Sequence, residues 1–267
     1  MASAFSSFAI APDYARGFSY SWAVSGDFCD PAPWRFRIFE GPSGNGPWTP
    51  ISPTIENGLF WRESGGHHLV NKSNVLYFRM ELSTPSGTYF SEVVQPYGSF
   101  ESKRDFLLAR EIIRREALRA RVLSGVPCKV YIKSTFGPRC PHCLDPDTGD
   151  VRDSNCKYCL GTGRCPPYYG PYDMAMSFST DAAHRKDNSV DGTHETKMFE
   201  ALAVGNPVLK QGDVIIDATS DKRYVIGVAS VVSEVRRIAC LQRLAFEEAA
   251  LSDPVYGLSK EGACLLK

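Results

Sequence analysis

Two pairs of cysteines near the middle of the chain constrain its folding more than any other feature. The residues of each pair are separated by two positions and the pairs by twelve, as Cys140-Pro-His-Cys143 and Cys156-Lys-Tyr-Cys159. A two-residue gap lets both sulfurs of a pair converge on one ion, and two such pairs complete the tetrahedral four-thiolate site that zinc prefers. The sequence therefore predicts one structural zinc ion held by Cys140, Cys143, Cys156 and Cys159.

The residues between and after the pairs fit a loop that a metal holds in place. The run Asp145-Pro-Asp-Thr-Gly-Asp150 is polar and cannot bury a core of its own. Gly161 lies two places after Cys159 and allows the tight turn of a zinc knuckle, because glycine accepts a positive φ without steric cost. A catalytic zinc would keep one coordination position open and usually has fewer cysteine ligands, so a structural site is expected.

Other arrangements of the cysteines stay open. Two disulfides or four ordinary thiols are the alternatives to a metal site. The N-terminus lacks the basic region and apolar core of a signal peptide, which favours a reducing compartment and metal binding. His142, between two ligands, or Cys165, just beyond them, could also replace one of the four.

Charge and motif content limit the function classes. The 267 residues carry 30 basic and 30 acidic groups, a balance that argues against a protein that coats nucleic acid generally. No apolar run approaches the roughly 18 residues of a membrane span, so no membrane contact is expected. No nucleophile-elbow, Walker A or metalloprotease motif is present, and a non-enzymatic protein is expected.

Four regions follow one another along the chain, and together they predict a mainly β fold with one long helix. Residues 1–98 contain all four tryptophans and short alternating runs separated by turn residues, which predicts an Ig/fibronectin-like β-sandwich. Residues 99–127 are predicted as a helical linker and residues 128–172 as a zinc-binding segment. Residues 173–267 contain several short strand-like runs and are predicted as a small β-barrel. Within them, the polar run 185–192 is predicted as an exposed loop.

The helical linker combines an apolar stripe with basic residues. No glycine or proline interrupts residues 101–124, and one face is formed by Phe106, Ala109, Ile113, Ala117 and Ala120. The arginines are Arg110, Arg114, Arg115, Arg119 and Arg121. Three interpretations stay open: contact with DNA, a solvated face with internal ion pairs, or docking onto acidic neighbouring subunits.

The N-terminal region resembles a fibronectin type III domain. The likeness is carried by Tyr20-Ser-Trp22, by Leu76-Tyr-Phe-Arg-Met80, and by Gly87-Thr-Tyr-Phe-Ser-Glu92. Such domains serve as spacers and adhesion modules, so the resemblance implies an architecture and names no activity.

The chain from the helix onward resembles a group of tailed-bacteriophage virion proteins. The matching runs are the basic helix, the cysteine segment from Phe136-Gly-Pro-Arg139 to Gly163, Gly212-Asp-Val-Ile-Ile-Asp217, and Asp253-Pro-Val-Tyr256. The barrel portion is similar to head-to-tail connector, or neck, proteins of the stopper kind. The resemblance implies a ring-forming structural subunit of a virion assembled in the host cytoplasm. Its expected partners are copies of itself, portal, adaptor or tail proteins, and packaged DNA facing the helix.

Two alternatives to a neck protein stay open. One is a zinc-ribbon adaptor that binds nucleic acid or a peptide. The other is a baseplate or other structural protein of the tail.

Overall fold

The chain folds into two β-modules joined by one α-helix. The computed structural model describes residues 4–12, 18–28, 30–56, 58–63, 77–95, 103–134, 139–145, 148, 150–179, 183–189, 192–235 and 238–259. Half of the chain is β-strand, and the second module contains a six-stranded barrel. The predicted mainly β fold with one long helix and a C-terminal barrel is confirmed.

The first module is a sandwich of two antiparallel sheets. The first sheet has the order β1 (Phe5–Pro12), β2 (Phe18–Val24) and β6 (Phe60–Arg62). The second has the order β4 (Thr49–Pro50), β3 (Arg35–Gly41), β7 (Tyr77–Thr84) and β8 (Gly87–Phe90), with β5 (Ile55–Glu56) also paired to β3.

Aromatic rings fill the space between these two sheets. Alternation along β3 and β7 turns Phe36 and Phe78 inward, where they are almost fully buried, while Arg35 faces solvent. The Tyr20 ring of the first sheet lies 5.7 Å from the Phe78 ring of the second, and the Trp22 and Phe36 rings are 5.5 Å apart. These contacts across the interior confirm the predicted sandwich.

The helix α1 (Lys103–Arg119) ends in a π-helical turn, Ala120–Ser124. Its buried positions are Ala109, Ile113, Ala117 and Ala120, four of the five residues of the predicted stripe. The side chain of the fifth, Phe106, lies outside what the structure describes. Ala109 and Ile113 join a core cluster that contains the sandwich residues and also Cys240 of the second module, so the helix packs between the two modules.

Six antiparallel strands close the barrel of the second module. They are β9 (Val126–Lys133), β10 (Tyr168–Phe178), β12 (Gly192–Val204), β13 (Val214–Asp217), β14 (Arg223–Val235) and β15 (Ile238–Glu248). The pairing runs β10-β9-β13-β14-β15-β12, and β12 pairs with β10 to complete the circuit. The fully buried residues of the interior include Val130, Met176, Ile215 and Phe246. A 3₁₀-helix, Pro254–Gly257, follows β15.

The predicted exposed loop over residues 185–192 is wrong. Strand β11 (Ala183–Ser189) pairs with β12 in a continuous ladder that ends at Ser189 opposite Gly192. Residues 183–189 contain only one apolar residue, so hydrophobic alternation gave no strand signal there. The hairpin forms because β12 continues beyond the barrel and offers backbone partners to β11.

The barrel includes more residues than the sequence predicted for it. β9 begins at Val126 and β10 at Tyr168, so both strands enter the range 128–172 predicted as the zinc-binding segment. Lys133 and Tyr168 face each other in the β9–β10 ladder. The cysteine segment is therefore an insertion between two neighbouring barrel strands, and the barrel fixes both of its ends.

A half-buried tyrosine, Tyr172, links the sandwich to the barrel. The backbone N–H of Leu59 donates to the hydroxyl oxygen of Tyr172 over 2.8 Å, and the Phe60 ring packs against the Tyr172 ring at 5.5 Å. Burial raises the pKa of Tyr172 well above its ordinary value, so the hydroxyl stays neutral.

Replacing Tyr172 with phenylalanine is expected to destabilise the protein by about 1–2 kcal/mol, because the Leu59 N–H loses its acceptor. Urea unfolding followed by tryptophan fluorescence measures this, since all four tryptophans lie in the first module. The control is Tyr158→Phe, because Tyr158 is 46% exposed and its hydroxyl removal leaves no donor buried. Equal stability of the two variants would contradict a structural link at Tyr172.

Candidate metal centre

The structure brings the four predicted cysteines into one compact group. Their four sulfur atoms all lie within 4.8 Å of one another, and all four side chains are buried. The Sγ atoms of Cys140 and Cys156 are 3.9 Å apart, and those of Cys143 and Cys159 are 3.2 Å apart. Four sulfurs placed tetrahedrally at 2.3 Å from one ion would be separated by about 3.8 Å. The group could therefore hold a metal ion.

Backbone turns present the second pair to the first. The N–H of Leu160 donates to the carbonyl of Cys156, and the N–H of Thr162 donates to that of Cys159, each over 2.8 Å. Gly161 follows at a φ of +76°, and a Cβ there would lie 2.6 Å from the carbonyl oxygen of Ser154. Glycine is therefore required at this position, which confirms the predicted tight turn.

The first pair is tied to the end of the same segment. The N–H of Cys140 donates to the carbonyl of Gly163 over 3.0 Å. The backbones of Arg139 and Arg164 pair in an isolated antiparallel β-bridge. A second isolated β-bridge, between Leu144 and Val151, joins the two sides of the segment between the cysteine pairs. Both cysteine pairs thus lie on backbone positions fixed by hydrogen bonds on either side of the cluster.

The segment between the pairs relies on polar contacts. The Arg152 guanidinium contacts the Asp145 carboxylate at 2.7 Å, and the Arg152 N–H donates to the carbonyl of Cys143 over 2.8 Å. The carboxylate of Asp153 accepts from the N–H of Asn155 over 2.8 Å. The four cysteine side chains form the buried cluster of this segment, and Leu144 and Cys165 pack against that cluster. A bound ion would stabilise the folded segment, as a larger hydrophobic core stabilises other small folds.

The two alternative ligands lie outside the four-sulfur group. His142 is exposed, and its ring stacks on Tyr158 at 3.9 Å between centroids. Cys165 is half-buried and packs against the cluster without belonging to it. Within the part of the chain that the structure describes, the four paired cysteines are the group suited to a metal.

The cluster perturbs the proton affinity of its thiols. Burial opposes ionisation of Cys140, but the backbone N–H groups of His142 and Cys143 and the Cys143 thiol outweigh it and lower the Cys140 pKa to about 7. Burial raises the pKa of Cys143 and Cys159. It also raises the pKa of Cys165 to about 12. A divalent cation would compensate the charge of buried thiolates that are otherwise costly to form.

Acidification is expected to release the metal. Binding requires thiolates, so the metal-bound state carries fewer protons than the metal-free state and loses affinity as pH falls. A chromogenic metal indicator during an acid titration measures the release. Cys240→Ser, which alters a buried thiol outside the cluster, should titrate like the unaltered chain. Metal retention that does not depend on pH would contradict thiolate coordination.

The arginines of the helix are partly neutralised by its own carboxylates. Glu111 contacts both Arg114 and Arg115 at 2.8 Å, and these two hydrogen bonds lower its pKa to about 2. Arg119 contacts Glu116 at 2.8 Å. These pairs match the predicted solvated face with internal ion pairs. Because one Glu111 serves two arginines, positive charge remains at this part of the helix.

Among the described residues, no helix combines the length and the apolar character that crossing a membrane requires. No protein-family model matches the chain, and no curated protein shows significant similarity to it.

Proposed function

We propose that this chain is a non-enzymatic structural subunit of a tailed-phage virion, which forms a ring at the head-to-tail neck and uses one zinc ion to hold its inserted loop. The observation that carries the structural role is the complete set of four buried thiols. Such a set fills all four positions of a tetrahedral zinc ion and leaves no position for substrate or water. The role of the ion is then to stabilise the folded structure of the loop.

Exposed apolar side chains at the end of the helix and on the barrel support contacts with other subunits. Val122 and Leu123, on the π-helical turn, are 74% and 80% exposed. On the barrel strand β14, Val228 and Val232 are 53% and 49% exposed. Large apolar side chains at two places on the surface favour burial against neighbouring copies or other virion proteins. The combination of a basic helix, a cysteine segment and a barrel, which resembles neck proteins, supports placing those contacts at the neck.

Mass spectrometry of purified virus particles from the source of this chain tests the proposal. The chain should be present in multiple copies and should remain with the neck when heads and tails are separated. Recovery with the baseplate would assign it to another part of the tail. Particles that lack the chain would contradict a virion role altogether.

A zinc-ribbon adaptor that binds nucleic acid is the second candidate, favoured by the positive charge that remains around Arg114 and Arg115. Size-exclusion chromatography with mass measurement and a DNA titration at several salt concentrations separates the two. A monomer whose DNA affinity falls steeply with salt would favour the adaptor. A chain that self-associates and binds DNA weakly would favour the ring subunit.

A further inference from the structure

A fifth thiol, that of Cys165, lies against the four-cysteine cluster. Cys140, Cys143, Cys156 and Cys159 are each at most 5% exposed, whereas Cys165 is half-buried and packs against them. Cys165 also lies outside the group of four that could hold a metal. A metal held by the four thiolates therefore leaves the Cys165 thiol uncoordinated, and Cys165 is the thiol of this cluster most accessible to solvent.

Backbone pairing places Cys165 beside Cys140. Arg139 and Arg164 form an antiparallel β-bridge, and the N–H of Cys140 donates to the carbonyl of Gly163 over 3.0 Å. In this register Cys140 lies opposite Gly163, and Cys165, two residues further along, is the diagonal neighbour of Cys140. Side chains alternate between the two faces of an extended pair, so those of Cys140 and Cys165 share one face.

Electrostatic contact between the thiols identifies the same pair. Burial raises the pKa of Cys165 to about 12, and Cys140 contributes more to this rise than Cys159 or Cys156. Side-chain contacts and backbone register therefore agree that Cys140 is the ligand most closely associated with Cys165.

We propose that Cys140 and Cys165 form an oxidation site, at which a peroxide replaces the metal clip of the inserted loop with a disulfide. The inference rests on the zinc site proposed above and adds a residue outside the ligand set. A disulfide needs Cα atoms within about 7 Å of each other, and diagonal neighbours lie about 7–8 Å apart, so a small shift of Cys140 suffices. Cys140 and Cys165 lie near the two ends of the insertion, so the disulfide would join its base covalently.

The reaction proceeds in two steps. The Cys140 thiolate attacks hydrogen peroxide, so that an S–O bond forms, the O–O bond breaks and hydroxide leaves. The Cys165 thiol then attacks the sulfenic acid of Cys140. An S–S bond forms, the S–O bond breaks, and the thiol proton leaves with the hydroxyl group as water. The two sulfurs together lose the two electrons that the peroxide gains. Cys140 is then lost as a ligand, and the three remaining thiolates hold zinc more weakly.

Peroxide treatment of the full-length, zinc-loaded chain tests this site. A chromogenic zinc indicator measures metal release, and peptide mapping after alkylation of the remaining thiols identifies the disulfides. The unaltered chain should form its first disulfide between Cys140 and Cys165 and lose one zinc ion for each disulfide formed. Reduction should then restore zinc binding, because a disulfide is reversible.

Two variants remove the Cys165 thiol and leave the four ligands in place. Cys165→Ser and Cys165→Ala should both contain zinc before treatment. Their Cys140 sulfenic acid lacks its partner thiol and should oxidise further to sulfinic acid, which reduction does not reverse. Zinc binding regained after reduction should therefore be several-fold lower than in the unaltered chain. Cys240→Ser, which alters a buried thiol outside the cluster, should recover like the unaltered chain.

Three outcomes would overturn the oxidation site. One is a first disulfide confined to the four ligands, such as one between Cys140 and Cys156. Another is full recovery of zinc binding in both Cys165 variants, and the third is a cluster whose thiols stay reduced in peroxide. A chain without zinc before treatment would instead contradict the zinc site proposed above, and the peptide map would still decide whether Cys140 pairs with Cys165.

Discussion

Replacing Cys156 with serine is expected to abolish stoichiometric metal binding and to loosen residues 139–165, while the sandwich stays folded. Cys156 contributes one of the four buried sulfurs, and its backbone carbonyl accepts from the N–H of Leu160 in the turn that carries Cys159. A serine hydroxyl is a poor zinc ligand at neutral pH, so three thiolates and a water would hold the ion far more weakly. Because binding free energy is folding free energy for such a loop, the segment would lose its fixed structure.

Hydrogen exchange combined with elemental analysis measures both effects. Protection should fall in residues 139–165 and persist in β3 and β7. Cys165→Ser is the matched control, because Cys165 packs against the same cluster outside the four-sulfur group. That variant should keep its metal. If Cys165→Ser lost the metal while Cys156→Ser retained it, the assignment of ligands would be wrong.

Replacing Phe246 with alanine is expected to destabilise the barrel by about 3–5 kcal/mol, through lost burial and the cavity left behind. Phe246 is 0% exposed, and its ring lies 5.4 Å from that of Phe178 and 5.1 Å from that of Tyr224. A loss of this size is a large part of the roughly 5–15 kcal/mol that stabilises a typical domain.

Urea unfolding followed by far-ultraviolet circular dichroism measures this loss. Phe199→Ala is the control, since Phe199 stacks on Phe246 at 6.2 Å but is only partly buried. Phe199→Ala should destabilise the protein less than Phe246→Ala, because a partly buried ring loses less buried area and leaves a smaller cavity. A larger loss in Phe199→Ala than in Phe246→Ala would show that the barrel interior is organised differently.

Much of the architecture could be predicted because apolar residues alternate where strands bury one face. Apolar residues alternate with arginines from Trp34 to Phe39, and the structure has the strand β3 at Arg35–Gly41. Met174 and Met176 likewise alternate along β10, and both are buried in the barrel. The polar residues 219–222 lie in the connection between β13 and β14. In each of these cases a local pattern carries the information.

The cysteine group was predictable for a different reason. Ligand spacing is local within each pair, and the shared chemistry of the pairs implies that they meet. The structure brings Cys140, Cys143, Cys156 and Cys159 together as expected. The sequence left His142 and Cys165 open as substitutes, and only the three-dimensional arrangement places them outside the group.

Features that depend on distant partners escaped prediction. The hydrogen bond from Leu59 to Tyr172 joins residues 113 positions apart, and no local pattern announces it. The buried carboxylate of Glu63, which accepts from the Tyr20 hydroxyl over 2.6 Å, is equally hidden in the sequence. The barrel begins at Val126, which pairs with Met176 of β10, fifty positions away in the sequence. The sequence prediction instead placed the start of β9 in the helical linker and the rest of it in the zinc-binding segment.

Elemental analysis of the purified full-length chain tests the central claim most directly. Inductively coupled plasma mass spectrometry, with protein quantified by amino-acid analysis, gives the identity of the metal and the metal-to-chain ratio. The four-thiolate geometry predicts one zinc ion per chain, retained after extensive dialysis at neutral pH. A chain free of metal, or one that contains iron in place of zinc, would contradict a structural zinc ion at Cys140, Cys143, Cys156 and Cys159.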